Sequence, residues 1–486
     1  MITLPTQLTA EDVVSIAKGA RVQVSAQARK NIEAHYETAN RIAEQQPVYG
    51  RSTGVGANRT ASAAADPETH GMNLLRSHAV DAGPAVGEER TRAMLAVRLN
   101  QLLYPGSGIA PSVIDGLERM LSANALPEIR RYGGIGTGDL PALASTALAL
   151  AGERPTSATF EPIGPIRSDS ALPFMSSSAF TLGGAALISA RLARVVNAAI
   201  AAFVLSAWAI QANPSAFSRQ AATAVASPDS AENAALIAAL LGDTAWDPAR
   251  IQDPFAFRGF LPIISVLSSS VHRLSQATET LMNSAQENPR FFEESGSAVH
   301  HGAFFEAWLA HELDATAMGL AQSAPMVLAR LRFLNDDAFT GLPRFLAPSR
   351  GGSSGTMVLE YLAASAMGEV LVGATPASTH SAVLSCGVEE DATFAPTALG
   401  KLERAVEGYE VMVAAEIVTA VRALRLKGVT DAAESQALAA LMELVRQLPS
   451  GAEDRDLRVD MDAARTLIPA FARVVSGLAA DVLPAD

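Results

Sequence analysis

A chain of 486 residues with 50 acidic against 37 basic side chains, a net charge of −13, is poorly suited to nucleic acid or to anionic membranes. Its residues are 49% hydrophobic but only 5% aromatic, which favours helices packed through small side chains over a β-rich fold. The single cysteine, Cys386, excludes an internal disulfide and fits a reducing, cytoplasmic setting.

Met1-Ile2-Thr3-Leu4 runs straight into polar sequence, without the basic and apolar regions of a secretory signal. Thr9-Ala10-Glu11-Asp12 has the form of a capping box and predicts a short helix ending near Lys18-Gly19. Residues 25–45 predict a more polar helix, stopped by Pro47. Val48-Tyr49-Gly50-Arg51-Ser52-Thr53-Gly54-Val55-Gly56 reads as a loop carrying an exposed tyrosine. Asn73-Leu74-Leu75-Arg76-Ser77-His78 falls on a following helix, 88–103 on another, and 111–123 leads to Gly133-Gly134-Ile135-Gly136-Thr137-Gly138-Asp139-Leu140-Pro141. Glycines at this density let the backbone fold back on itself with positive φ. Asp139 is placed to cap a helix with Pro141 in its first turn and 143–150 as its body. Gly136-Thr137-Gly138 therefore precedes a helix N-terminus, where unpaired N–H groups make a positive pole.

Residues 153–169, with Pro155, Pro162 and Pro165, mark a boundary between an N-terminal region, 1–165, and a helical body, 166–486. Helical patterns recur at roughly 172–212, 259–286, 303–333, 356–373 and 397–427. In the last, Leu402, Val406, Tyr409, Val413, Ile417, Ala420 and Leu424 form one apolar stripe, and Gly428 ends it after Arg422, Arg425 and Lys427. Residues 432–448 and 461–482 complete the helices. Residues 170–190 and 195–218 lack charge and are long enough for a membrane span. Ser176-Ser177-Ser178, Gly183-Gly184, Asn197, Ser206, Gln211, Asn213 and Pro214 interrupt them, so both read as buried helices of a long bundle.

The glycine turn resembles the signature of the histidine and aromatic amino-acid ammonia-lyases. There an Ala-Ser-Gly triplet, followed by Asp-Leu and a Pro-Leu-Ala-rich helix, cyclises into a methylidene-imidazolone (MIO) electrophile. Here the triplet reads Gly136-Thr137-Gly138, and the run from Pro127 to Asp139 is one residue shorter than the family pattern. In such a ring the Gly138 nitrogen attacks the carbonyl two residues back, and dehydration of the central residue exposes an electron-poor alkene. Closure needs no Cβ on the first residue, whereas threonine adds a methyl that makes the alkene more hindered and less electrophilic. The similarity extends to Tyr49 through Gly56 (the tyrosine loop) and to Asn73 through Ala79 (the specificity segment). Gln252-Asp253-Pro254-Phe255-Ala256-Phe257-Arg258 is similar to Gln-Asp-x-Tyr-Ser-Leu-Arg, and Asn283-Ser284-Ala285-Gln286-Glu287-Asn288-Pro289 to Asn-Ser-Ala-Thr-Asp-Asn-Pro. Leu342-Pro343 to Gly355 and Pro376-Ala377-Ser378 recur in the expected order. The resemblance implies an all-α fold with a long central bundle, a small amino-acid substrate, and a homotetramer whose active sites draw residues from several subunits.

By this resemblance Tyr49 matches the catalytic tyrosine that takes the β-proton. A phenol, with an ordinary pKa of about 10, does so only where positive neighbours lower it. Arg258 matches the arginine that pairs with the substrate carboxylate through two bonds. Ser77-His78 resembles the pair facing the side chain in histidine-specific members, and Glu369 matches the glutamate facing the substrate from the opposite helix. Four motifs depart. Ser176 replaces an asparagine near the cofactor, and Phe255 a second tyrosine. Val299-His300-His301-Gly302 replaces Asn-Phe-His-Gly, and Val388-Glu389 replaces Gln-Glu. Each removes a polar group that orients the cofactor or the transferred proton. On the residues alone, Arg258 could pair with a buried carboxylate, and His78 would more often be a satisfied surface or core histidine. Glu369 is a carboxylate in an apolar helix, costly unless paired. His300, His301, Glu306 and His311 match no zincin spacing, so no metal site is expected. Arg350 through Gly355 lacks the ending of a phosphate loop and reads as a tight turn.

Three functions fit. The chain is a lyase or aminomutase whose Gly136-Thr137-Gly138 matures into an MIO-like ring. Alternatively the ring never forms, and Tyr49, His78 and Glu369 carry out acid–base elimination, cyclisation or addition. Or the pocket binds without catalysis. The first is preferred because Tyr49 and Arg258 survive together, with Ser77, His78 and Glu369 favouring a polar or imidazole-like side chain.

Overall fold

The computed structural model describes residues 1–348, 352–430 and 434–482, and helices dominate them. The turn expected at 350–355 and the helix expected from 432 both begin outside the described residues. The early helices start where their caps predict. Thr9 Oγ1 accepts from the Asp12 amide at 3.2 Å while Asp12 accepts from the Thr9 amide at 3.0 Å, opening Ala10–Ala17. Ser25 accepts from the Ala28 amide at 3.1 Å and opens Ala26–Gln45.

Two compact units emerge. The first comprises Met1–Ala190, Leu274–Asp314 and Pro376–Gly400; the second comprises Arg191–Arg273, Ala315–Thr375 and Lys401–Asp486. Four long helices, Ala179–Ala209, Phe260–Met282, Ala307–Leu334 and Ala395–Lys427, supply residues to both.

In the first unit, Glu88–Leu102 is buried over most of its circumference. Ala179–Ala209 passes so close to it that a Cβ on Gly183 would lie 2.7 Å from the Met94 nitrogen. Small residues thus set the helix spacing, which accounts for a composition poor in aromatics. A fully buried ion pair, Arg98 with Glu287 at 2.9 Å, pins this core, and Arg98 also donates to the carbonyls of Pro173 and Phe174. Such a pair adds little net stability, but losing one partner leaves a stranded charge costing about 3–5 kcal/mol. Three two-stranded ribbons occur among the described residues. Ile2–Leu4 runs parallel to Val22–Val24. Ala82–Ala85 pairs antiparallel with Arg130–Tyr132 and delivers the chain into Gly133, while Arg290–Phe292 pairs antiparallel with Ser297–Val299 and leads into His300.

In the second unit, every residue of the 402–424 stripe is fully buried, and Gly428 ends the helix with φ +67°. Arg330 grips Glu416 through two bonds of 2.5 and 2.8 Å and lies over Phe203 and Phe260, whose rings stack at 3.6 Å.

Two expected helices are revised. The 172–212 pattern breaks at Ser176-Ser177-Ser178 into Ser168–Met175 and Ala179–Ala209, because Ser176 leaves helical geometry with ψ 71° and the Ser177 amide turns back onto the Met175 carbonyl at 3.0 Å. Ser168–Ala209 is apolar enough to cross a membrane, but 83% of its most apolar window is buried in protein, as in a core helix. The 303–333 helix begins only at Ala307, which leaves 300–306 as loop beside the glycine turn.

Candidate active site

Four helices begin around Gly136-Thr137-Gly138. Gly136 and Gly138 have φ of +88° and +91°, and Thr137 between them forms an antiparallel bridge with Phe305. The Thr393 hydroxyl donates to the Gly136 carbonyl at 3.0 Å, and the Phe394 amide donates to the Ile135 carbonyl at 2.8 Å. A Cβ on Gly136 would sit 1.9 Å from Thr393 Oγ1 and 2.9 Å from the Phe394 nitrogen. This is why glycine stands where the resembled triplet has alanine.

Leu140–Ala151 starts directly after the turn. Asp139 occupies its N-cap position, but its carboxylate does not cap that helix, contrary to expectation. It accepts from the amide of Thr181 at 2.7 Å and from its hydroxyl at 3.0 Å, capping Ala179–Ala209 instead. The Asp139 amide in turn donates to the Ser177 carbonyl at 2.7 Å. Ala307–Leu334 follows Phe305-Glu306, and Ala395–Lys427 follows Thr393-Phe394. The turn is therefore collared by four helix N-termini, an arrangement suited to developing negative charge.

Behind the turn lies a buried polar cluster. Ser177 donates to Gln101 at 2.7 Å, and Gln101 donates to Gln286 at 3.0 Å. Gln286 accepts from the Ser178 amide at 3.2 Å and donates to Glu306 Oε1. Glu306 is 2% exposed, and its Oε2 has no hydrogen-bond partner. Burial, reinforced by the charge of Asp139, pushes Glu306 up to about 8. Burial also lifts Asp139 to about 6, held there by its bonds from Thr181. Of the two, Glu306 holds its proton to the higher pH.

The first unit also brings together Tyr49, His300 and Glu389. Tyr49 is half-buried rather than exposed. Its Oη accepts from the Gly56 amide at 2.7 Å, its amide donates to His300 Nε2 at 3.3 Å, and its ring stands edge-on to His300. Ser385 accepts from the Ala57 amide at 2.9 Å, which joins this loop to the one carrying Glu389. Against the sequence expectation, the phenol is raised, chiefly by burial, with the Glu389 charge adding to it and the Gly56 amide opposing. Ser77 and His78 lie at the end of Pro67–His78, the Ser77 hydroxyl donating to the Leu74 carbonyl at 3.0 Å and His78 Nδ1 lying 2.8 Å from the same oxygen. Ser176 is buried and accepts from the Asn288 amide at 3.2 Å, a structural bond.

The remaining predicted residues belong to the second unit. Phe255 is exposed, and the Arg258 guanidinium lies 4.0 Å over its ring. Arg258 Nε is buried without a hydrogen-bond partner, and among the described residues no carboxylate pairs with Arg258. Glu369 is exposed on Met357–Gly373, beside exposed Tyr361, Leu362 and Val372, so in the single chain it bears no burial cost. His300, His301, Glu306 and His311 form no metal-ligand group among the described residues.

Sequence reasoning missed Asp139 as a cap for Ala179–Ala209, Thr393, Gln286 and the placement of Glu306 behind the turn. The only signal was a carboxylate inside the apolar run Phe304-Phe305-Glu306-Ala307-Trp308.

The family described as aromatic amino acid lyase matches residues 8–447. A histidine ammonia-lyase of Streptomyces coelicolor is 30% identical over 495 residues, covering 95% of each chain. Tyrosine aminomutase from Streptomyces globisporus shares the fold with a TM-score of 0.89 at 22% identity, over 100% of this chain and 99% of that one. The ergothioneine-degrading ergothionase of Treponema denticola shares it with a TM-score of 0.88 at 23% identity, over 97% and 99%.

Gly136→Ala is expected to lower the unfolding free energy by about 1–3 kcal/mol in urea titration, through overpacking against Thr393. Adding Thr393→Ala should recover part of the loss, and an unchanged midpoint in Gly136→Ala would refute the fit. The raised carboxyl of Glu306 makes a second prediction. Its proton is retained in the folded state up to about 8 but lost from the unfolded chain near 4.5. The contribution of Glu306 to stability is therefore full below the lower value and is lost as pH rises to the higher one, by up to about 1.4 kcal/mol per pH unit. Glu306→Gln should flatten that decline; an identical slope in both proteins would contradict it.

Proposed function

The chain belongs to the aromatic amino acid lyase family and is a carbon–nitrogen lyase, and we propose that it eliminates or shifts the amino group of a histidine-like amino acid. The observation that carries this reading is the collar of four helix N-termini around Gly136-Thr137-Gly138. The triplet's positive-φ glycines and the Thr393 hydroxyl on the Gly136 carbonyl, the oxygen that departs on cyclisation, fit an MIO-like ring. Matured, that ring would supply an electron-poor alkene as an electron sink.

The chain's own side chains do the rest. Arg258, which no carboxylate among the described residues pairs with, takes the substrate carboxylate in a two-bond grip, and Phe255 keeps the guanidinium plane oriented. Tyr49 removes the β-proton. The Gly56 amide stabilises its phenolate, but burial and Glu389 work against it, so further positive groups are needed. A homotetramer supplies them in this reading, each active site drawing residues from several copies. The exposed face bearing Tyr361, Leu362, Glu369 and Val372 supports such an assembly. His78, its Nδ1 engaged by the Leu74 carbonyl, offers Nε2 to a polar side chain, as the histidine-acting relatives suggest. Lone, exposed Cys386 fits a cytoplasmic setting.

A second reading, acid–base elimination without the ring, is favoured by one observation, the methyl of Thr137. Intact-protein mass separates the two: loss of two waters supports the ring, and a full-mass chain that still turns over histidine-like substrates supports the alternative. In either, Tyr49→Phe should lower turnover on the order of a hundredfold or more, and wild-type rates in that variant would remove Tyr49 from its role. Light scattering should give a tetramer; a monomer would contradict the shared site.

A further inference from the structure

Glu306 is a buried acid without an assigned task. Its side chain is 2% exposed, Oε1 is held by Gln286, and Oε2 has no partner. The neighbouring hydroxyl, Ser178, donates to the Phe304 carbonyl at 3.0 Å. Ser178 lies close enough to Glu306 to lower its carboxyl somewhat, and a buried carboxyl whose second oxygen accepts no direct hydrogen bond is expensive unless something uses it. Glu306 stands one residue beyond Phe305, the bridge partner of Thr137, and its proton persists near neutral pH. It also forms the N-terminal boundary of Ala307–Leu334, so the positive end of that helix stabilises the carboxylate formed when the proton leaves. The acid is thus able to give a proton and take one back.

We propose that Glu306 is the proton-transfer group that dehydrates Thr137 during maturation of Gly136-Thr137-Gly138, a role resting on the ring-forming reading above. Glu306 gives its proton to Thr137 Oγ1 as the Cβ–Oγ1 bond breaks, and the oxygen leaves as water with the electrons of that bond. The Cα–H bond of Thr137 breaks, its electron pair becomes the Cα–Cβ double bond, and the Cα proton passes to the Glu306 carboxylate. The acid is regenerated, and no oxidant or further reactant is required. The role suits this triplet in particular, since departure of a secondary hydroxyl from a hindered carbon gains from a fixed acid. Gln286 holds the carboxyl through Oε1 and leaves Oε2 unbonded.

The test is intact-protein mass of the full chain during expression and ageing, for wild type, Glu306→Gln and Glu306→Ala, with thermal unfolding to establish that each is folded. Wild type should lose two waters. Both variants should stop short of the second, with dehydration slowed on the order of a hundredfold or more, and formate should restore the loss in Glu306→Ala. A folded variant that loses both waters at the wild-type rate overturns the role of Glu306 and leaves the ring reading intact. A wild-type chain at full mass overturns both.

Discussion

Asp139 has one carboxylate and spends it on a helix other than its own. By accepting from the amide and hydroxyl of Thr181 it fastens the glycine turn to the first turn of Ala179–Ala209, while its amide holds Ser177. Everything around the turn follows from this tie. It stops Ser168–Met175 and Ala179–Ala209 from fusing into one rod, and it holds the Ser176–Ser178 corner against Gln286 and Asn288. It also commits a carboxylate to a site from which water is excluded, at a cost visible in its raised pKa.

The electrostatics of the site balance two opposed effects. Helix N-termini favour anions by about 0.3–1 kcal/mol each at exposed positions. Burial disfavours them by more, and it decides the state of Glu306, whose carboxyl remains neutral despite the helix start it occupies. At Asp139 two donors from Thr181 narrow the gap. Two carboxyls a short distance apart are thereby separated into one mostly charged and one protonated. Tyr49 lies on the unfavourable side of the same balance, which is why its single-chain surroundings describe an acid rather than a base.

The altered triplet is structurally coherent. Thr393 Oγ1 fills the space in which a first-position methyl would lie, and its hydroxyl holds the carbonyl of the glycine that replaces the alanine. Gly136 and Thr393 are therefore one device built from two places in the chain. Similarly, Gln286 replaces a threonine of the resembled segment, and its amide supports Glu306. At the turn itself, the departures at Gly136 and Gln286 are thus each matched by a partner, Thr393 and Glu306.

Local rules placed most of the scaffold. The Thr9 and Ser25 caps, the 402–424 stripe, the Gly428 stop and the buried character of the alanine-rich helices are all set by neighbours within a few residues, so the chain announces them. The motifs around Tyr49, Gly136-Thr137-Gly138 and Arg258 likewise announced the family. The tertiary structure alone decided which helix Asp139 caps, why Gly136 must be glycine, that Tyr49 is half-buried beside Glu389, and that Glu306 is a buried acid one residue past Phe305, the bridge partner of Thr137. Those facts depend on partners far apart in the chain, 257 residues in the case of Gly136 and Thr393. They depend also on exclusion of water, and neither distance through space nor burial is written in local spacing.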